Sequence, residues 1–153
     1  MNRHHKPQRR QLLLAAGTAW LTLQARPAAA VSAPDTLQQV ILRWAAGNPV
    51  TEGRVRFEVQ PLVENGNAVP ISVQVDSPMT AASHVQEIVV FNERNPQRDV
   101  VRAVFGPASG RAQLDTRIRL ATTQHLVALA RMSDGSVWQH TVEVIVTLAA
   151  CLE

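Results

Sequence analysis

From Val55 onward apolar residues recur at every second position, in short runs divided by turn formers. Only a half-buried β-strand satisfies that period. Val55, Phe57 and Val59 alternate with polar residues, and so do Val69, Ile71, Val73 and Val75. Pro70 in the second run suits an edge strand or a strand start. Glu87 to Phe91, Val100 to Phe105 and Leu126 to Ala130 are denser apolar runs, and Asn95-Pro96 breaks the chain after the first. Leu114, Thr116, Ile118 and Leu120 alternate against Asp115, Arg117 and Arg119. Ser133-Asp134-Gly135 is a hairpin turn signal. Val142, Val144, Val146 and Leu148 then share one face of a last strand. These runs predict about seven or eight strands with turns between them, the pattern of an all-β sandwich. A single helix precedes them. Leu37, Val40, Ile41 and Trp44 form one helical stripe, with Asp35 as its cap and Gly47 and Pro49 as its stop.

The chain has 153 residues, 46% of them hydrophobic, enough for one domain with one core. One cysteine cannot bridge two sheets, so packing alone must hold them. The formal charge of +3 misleads, because the first 30 residues hold five basic residues and no acidic one. The remainder carries ten Arg against twelve Asp and Glu, a net −2, and Lys6 is the only lysine. A mildly acidic, lysine-free domain lacks the basic face that binding nucleic acid requires.

The N-terminus has the layout of an export signal. Arg3, Lys6, Arg9 and Arg10 precede the apolar run Leu12–Leu23, which ends in Arg26-Pro27-Ala28-Ala29-Ala30. The run is 12 residues long, and spanning a bilayer takes roughly 20, so the mature form is expected to have no membrane span. Ala28-x-Ala30 places cleavage after Ala30. Arg9-Arg10 followed by Gln11-Leu12-Leu13 reads as a twin-arginine signal rather than an ordinary secretory one. That route carries folded proteins, and it sets the expected location as the periplasm.

Cys151 carries the chemistry. It follows the last predicted strand, where a residue is expected to be exposed and mobile rather than packed as a small hydrophobe. Three uses are open to such a thiol: an intermolecular disulfide, a nucleophile, or a covalent attachment point. Three extended residues beyond Leu148 reach roughly 10 Å, enough to enter a neighbour's cleft. Reactive cysteines normally sit near cations or a helix N-terminus. Cys151 instead neighbours Glu153 and the terminal carboxylate, two negative charges. A thiol that is exposed and not self-activated suits a carrier better than a catalyst.

Other constellations are weaker. His84, His125 and His140 lack ligand spacing and are expected to be structural or at the surface, so no metal is expected. Ser77 and Ser109 lie beside Pro or Gly outside any G-x-S-x-G pattern. Asp76-Ser77-Pro78-Met79 reads as a turn ending a strand, with a subunit contact as its alternative. Arg117 and Arg119 read as a solvated strand face, with docking to an acidic partner as the alternative.

Several stretches resemble one family in its own order: Glu64-Asn65-Gly66-Asn67-Ala68-Val69-Pro70, Asp76 to Met79, Asn95-Pro96, Pro107-Ala108-Ser109-Gly110, Arg117-Ile118-Arg119-Leu120 and Met132 to Trp138. With a terminal Cys they make the chain similar to SoxY, the sulfur-carrier subunit of the periplasmic thiosulfate-oxidising system. The resemblance implies an immunoglobulin-like β-sandwich with one N-terminal helix and a flexible C-terminal Cys arm. It implies that Cys151 attaches sulfur covalently, that a SoxZ-like sandwich subunit and Sox-type periplasmic enzymes are partners, and that no cofactor or catalytic residue is needed. The last strand, Val142 to Leu148, has a core role, with edge pairing to SoxZ as the alternative. The expected layout is a signal at 1–30, a sandwich at 31–148 and an arm at 149–153. The arm departs from the family's Gly-Gly-Cys-Gly-Gly. Ala149, Ala150, Cys151, Leu152 and Glu153 resemble a related branch reading Ala-Ala-Cys-Ile-Glu, and Glu153 would repel an anionic cargo. The competing class is a non-carrier interaction subunit that binds a SoxZ-like partner or dimerises through its cysteine.

Overall fold

A computed structural model describes residues 35–151. The signal residues Arg9, Arg10 and Ala30, and the arm residues Leu152 and Glu153, lie outside the described residues. Helix α1 spans Leu37–Ala45. Its cap is Thr36 rather than Asp35, because Thr36 and Gln39 bond each other reciprocally. The Thr36 hydroxyl accepts from Gln39 N at 3.3 Å, and Gln39 Oε1 accepts from Thr36 N at 2.8 Å. This reciprocal pair satisfies two otherwise orphaned amides. Asp35 instead takes the Arg43 guanidinium at 2.6 Å, which holds its carboxyl below the usual range. Ala46 in the left-handed region and Gly47 end the helix.

Nine strands follow among the described residues: β1 Val50–Glu52, β2 Val55–Val59, β3 Leu62–Val63, β4 Val69–Val75, β5 Val85–Asn92, β6 Asp99–Val104, β7 Ala112–Ile118, β8 Gln124–Met132 and β9 Val137–Val146. One sheet has the order β1-β9-β8-β5-β6, with β3 also on β9; the other is β2-β4-β7. The two pack face to face. Phe57, Val69, Ile71 and Val73 from the small sheet share a core with Ile88, Val90, Leu126, Ala128 and Val144 from the large one. The helix lies on the opposite face of the large sheet, where Ile41, Trp44 and Ala45 cover Val89, Phe91, Val127, Leu129 and Val137. Arg131 stacks over the Trp44 ring, 4.4 Å from its centroid, and donates to the Trp44 carbonyl near the helix C-terminus. That end of a helix favours a cation.

The layering explains two kinds of strand sequence. β2 and β4 cover the core with one face and meet solvent with the other, so they alternate. β5 and β8 are covered on both faces, so Ile88 to Phe91 and Leu126 to Ala130 run apolar without interruption. Pro70 sits at the start of β4, beyond the β2 register, which ends at Val59 opposite Ile71. Strand β9 begins at Val137, five residues earlier than the apolar alternation suggests, and Leu148 lies beyond its end, 61% exposed. Nor is β9 an edge. β8 pairs with one side, and the short β1 and β3 run parallel to the other. Among the described residues no helix is long and apolar enough to cross a membrane.

Asn95 is more than a strand breaker. Its Oδ1 accepts from Ala121 N at 3.0 Å and from Gln124 Nε2 at 2.9 Å, and its Nδ2 donates to the Arg119 carbonyl at 2.8 Å. Gln124 is 2% exposed and accepts from Arg94 N at 2.9 Å. The β5–β6 connection thereby fixes the β7–β8 connection around Leu120. Asn95→Ala strands those partners and is expected to lower stability by about 1–3 kcal/mol. Urea unfolding of the two proteins measures the difference; equal midpoints would refute the tie.

Candidate functional site: the seat of the terminal arm

Past Val146 the chain is held residue by residue against two loops. Thr147 N donates to Val63 O at 3.0 Å, and its hydroxyl donates to Glu64 O at 3.2 Å. Leu148 O accepts from Gly66 N at 2.8 Å. Ala150 N donates to Leu120 O at 3.0 Å, and Cys151 N donates to Asn67 Oδ1 at 3.3 Å. Gly66 joins the two loops, because its carbonyl also accepts from Leu120 N at 2.9 Å. A Cβ at Gly66 would lie 2.3 Å from Leu120 O and 2.9 Å from Ala150 N, so close packing rather than a special φ demands glycine here. Asn67 is itself pinned, since its backbone N and its Nδ2 both donate to Asn65 Oδ1 at 2.9 Å. That leaves Asn67 Oδ1 turned toward Cys151.

Among the arm residues, Ala149 is exposed and the Ala150 side chain is buried. Cys151 is exposed, with its thiol free. The reach counted from Leu148 is therefore a property of the unseated chain; as it stands, the backbone is bonded as far as Cys151 N. Leu62 and Ile145, opposite each other in the β3–β9 pair, are 55% and 50% exposed on the strands leading into the arm. Two stretches known only by resemblance, Glu64 to Pro70 and Arg117 to Leu120, thus converge on the arm's root. Their role escaped the sequence reading because a loop that accepts a distant backbone has no periodicity. The Asn65-Gly66-Asn67 cluster of turn residues was the available signal.

The remaining candidates do not join this site. His140 Nδ1 accepts from Phe57 N at 2.9 Å and so ties β9 to β2. His84 Nδ1 lies 3.1 Å from Thr80 O. His125 faces Glu93 at 2.9 Å. Among the described residues no group of three or more His, Cys, Asp or Glu is placed to hold a metal ion. The Ser77 hydroxyl accepts from Met79 N and the Ser109 hydroxyl from Gly106 N, both within turns. Met79, at φ 51° and 5% exposed, fills the core of its own chain, so the Asp76–Met79 turn serves the fold. Arg117 and Arg119 are exposed along a groove of about 430 Å³ between β6 and β7. A wider groove of about 950 Å³ crosses the outer face of the small sheet between Glu58 and Arg117. Cys151 lines neither.

A helix-backed β-sandwich with one free thiol, seated just past its last strand, defines the class. The family model for "Sulfur oxidation protein SoxY" matches residues 43–151, a segment that ends on Cys151. The chain belongs to the SoxY family. The structure of the sulfur carrier protein SoxY from Chlorobium limicola f thiosulfatophilum superposes with a TM-score of 0.62 at 24% identity, over 74% of this chain and 97% of that one. A superoxide reductase (neelaredoxin) from Ignicoccus hospitalis superposes with a TM-score of 0.56 at 17% identity, over 61% of this chain and 80% of that one. A putative superoxide reductase from Thermotoga maritima gives 0.52 at 21% identity, over 67% and 89%. At these identities the likeness is one of fold. No curated protein sequence matches the chain.

Two outcomes follow from the geometry. Gly66→Ala forces a methyl between Leu120 O and Ala150 N and is expected to destabilise by about 1–3 kcal/mol. Thermal unfolding checks it, and an unchanged Tm would sink the packing argument. Separately, hydrogen bonds from His125 hold the Glu93 carboxyl below its ordinary value of 4.5. A depressed carboxyl stabilises the fold above its unfolded pKa, and that stability fades as pH falls through the folded one. Wild type should therefore exceed Glu93→Gln in stability at neutral pH, with the gap closing below about 4.5. Urea midpoints across that range test the sign.

Proposed function

We propose that the protein is a sulfur carrier of a Sox-type sulfur-oxidation system, with Cys151 as the covalent attachment point. The observation that carries this reading is positional: the only cysteine is exposed, follows the last strand, and closes the segment matched by the SoxY family. Residues 149–153 form the carrier arm and 31–148 the domain that presents it. In this reading the thiol couples to the sulfur of thiosulfate or a related reduced species. Forming that S–S bond releases the thiol proton and two electrons, which a partner enzyme must accept. In this reading the carrier itself needs no catalytic residue.

The setting follows from the same family and from the N-terminal residues. Arg9-Arg10 and cleavage after Ala30 would send a folded chain to the periplasm, where a SoxZ-like sandwich subunit would accompany it. Partner enzymes would then load and unload the arm. Glu153 and the alanines flanking Cys151 suit a partner or a sulfur species different from that of a glycine arm.

Intact-mass spectrometry of protein taken from its own periplasm under sulfur-oxidising growth should find sulfane, thiosulfonate or sulfonate adducts on Cys151, and a mature start at Val31. Cys151→Ser should abolish sulfur oxidation. A thiol that stays free, or that forms only an interchain disulfide, would favour the non-carrier interaction subunit instead.

A further inference from the structure

The geometry points to Asn67 as a positioning residue that latches the Cys151 arm in a docked state, which must open before the thiol enters a partner's cleft. The purpose of this latch rests on the carrier reading; its existence does not. Three features define it. Asn67 Oδ1 accepts from Cys151 N at 3.3 Å, and Asn65 fixes its direction by taking both Asn67 N–H donors. Leu120 O accepts from Ala150 N at 3.0 Å. The Ala150 methyl is buried, 9% exposed, beside the close-packed Gly66. The acceptors are pre-placed, so docking orders only the arm itself.

The latch is also built to release. The Cys151 bond is exposed and, at 3.3 Å, is longer than the usual N–H···O bond. Ala149 between the two latched residues is exposed. Deeper contacts, from Gly66 to Leu148 and from Thr147 to Val63, belong to the domain and stay closed. Opening therefore frees the chain from Leu148 and extends the thiol's range to roughly 10 Å. Docked, Cys151 is exposed while its backbone N–H donates to the Asn67 side chain. A glycine at 150 would lack the buried methyl and gain backbone freedom, and both changes favour the open state.

Because Cys151 is the chain's only cysteine, a nitroxide can be attached to it without any other change. The wild-type electron paramagnetic resonance spectrum should contain a slow, docked component. Asn67→Ala should lower the ratio of docked to mobile label by about 2- to 12-fold, the range for losing one hydrogen bond. Ala150→Gly should act in the same direction. Ala150→Pro, which removes the Ala150 donor and lies beyond the last strand, keeps the test valid if Asn67→Ala fails to fold. Amide exchange at Ala150 and Cys151 in unlabelled protein should speed up in parallel, while the unfolding midpoint stays near wild type. A purely structural Asn67 would lower the midpoint and leave the label's mobility in the folded protein unchanged. A wild-type label that moves freely, or variants that leave mobility and exchange unchanged, would overturn the latch. These measurements use purified protein without sulfur substrate. A failed latch leaves adducts on Cys151 unaffected, and a Cys151→Ser protein that still supports sulfur oxidation leaves the latch result intact.

Discussion

The architecture depends on two strands that are buried on both faces. β5 and β8 form the middle of the large sheet, and every other layer is arranged to cover them. The small sheet covers one side with Phe57, Ile71 and Val73, and the helix covers the other with Ile41 and Trp44. Take away the helix and Val89, Phe91, Val127 and Leu129 would face water on a sheet with no second partner. At about 25 cal/mol per Å² of apolar surface buried, that exposure would be heavily unfavourable. The Arg131 contact with Trp44 then ties the C-terminal end of the helix to β8.

Much of this was legible in the sequence. The helical stripe, the alternation in β2 and β4 and the unbroken runs in β5 and β8 each report how many faces of an element are covered. What escaped reading has a common cause. β1 and β3 are three and two residues long, too short to show a period, yet they run parallel to β9 and occupy its outer edge. The first half of β9 was missed because Gln139, His140 and Thr141 are polar and only half-buried or exposed. The cap moved from Asp35 to Thr36 because a reciprocal bond with Gln39 outweighs a single carboxylate.

The site divides along the same line. Cys151 and its exposure followed from position alone, whereas its seat did not. Gly66 and Asn67 are far from the arm in sequence, and each acts through backbone groups or a side-chain amide rather than through a reactive atom. Asn95 is a further step removed, holding the Leu120 loop that in turn receives Ala150. Resemblance picked out these stretches without saying what they do. Geometry gives them a shared task at the root of the arm.

The bond from Cys151 to Asn67 joins positions 84 residues apart. Closing a loop of that length costs chain entropy that the intervening contacts must offset. The seat exists only when β4 to β9 are all in place, because Gly66 meets the arm beside a Leu120 loop that is itself held by Asn95. A chain stalled before that point has its thiol but nowhere to rest it. The seat is thus a property of the completed domain, and a partner that recognises the seated arm would be inspecting the whole domain through a few backbone atoms.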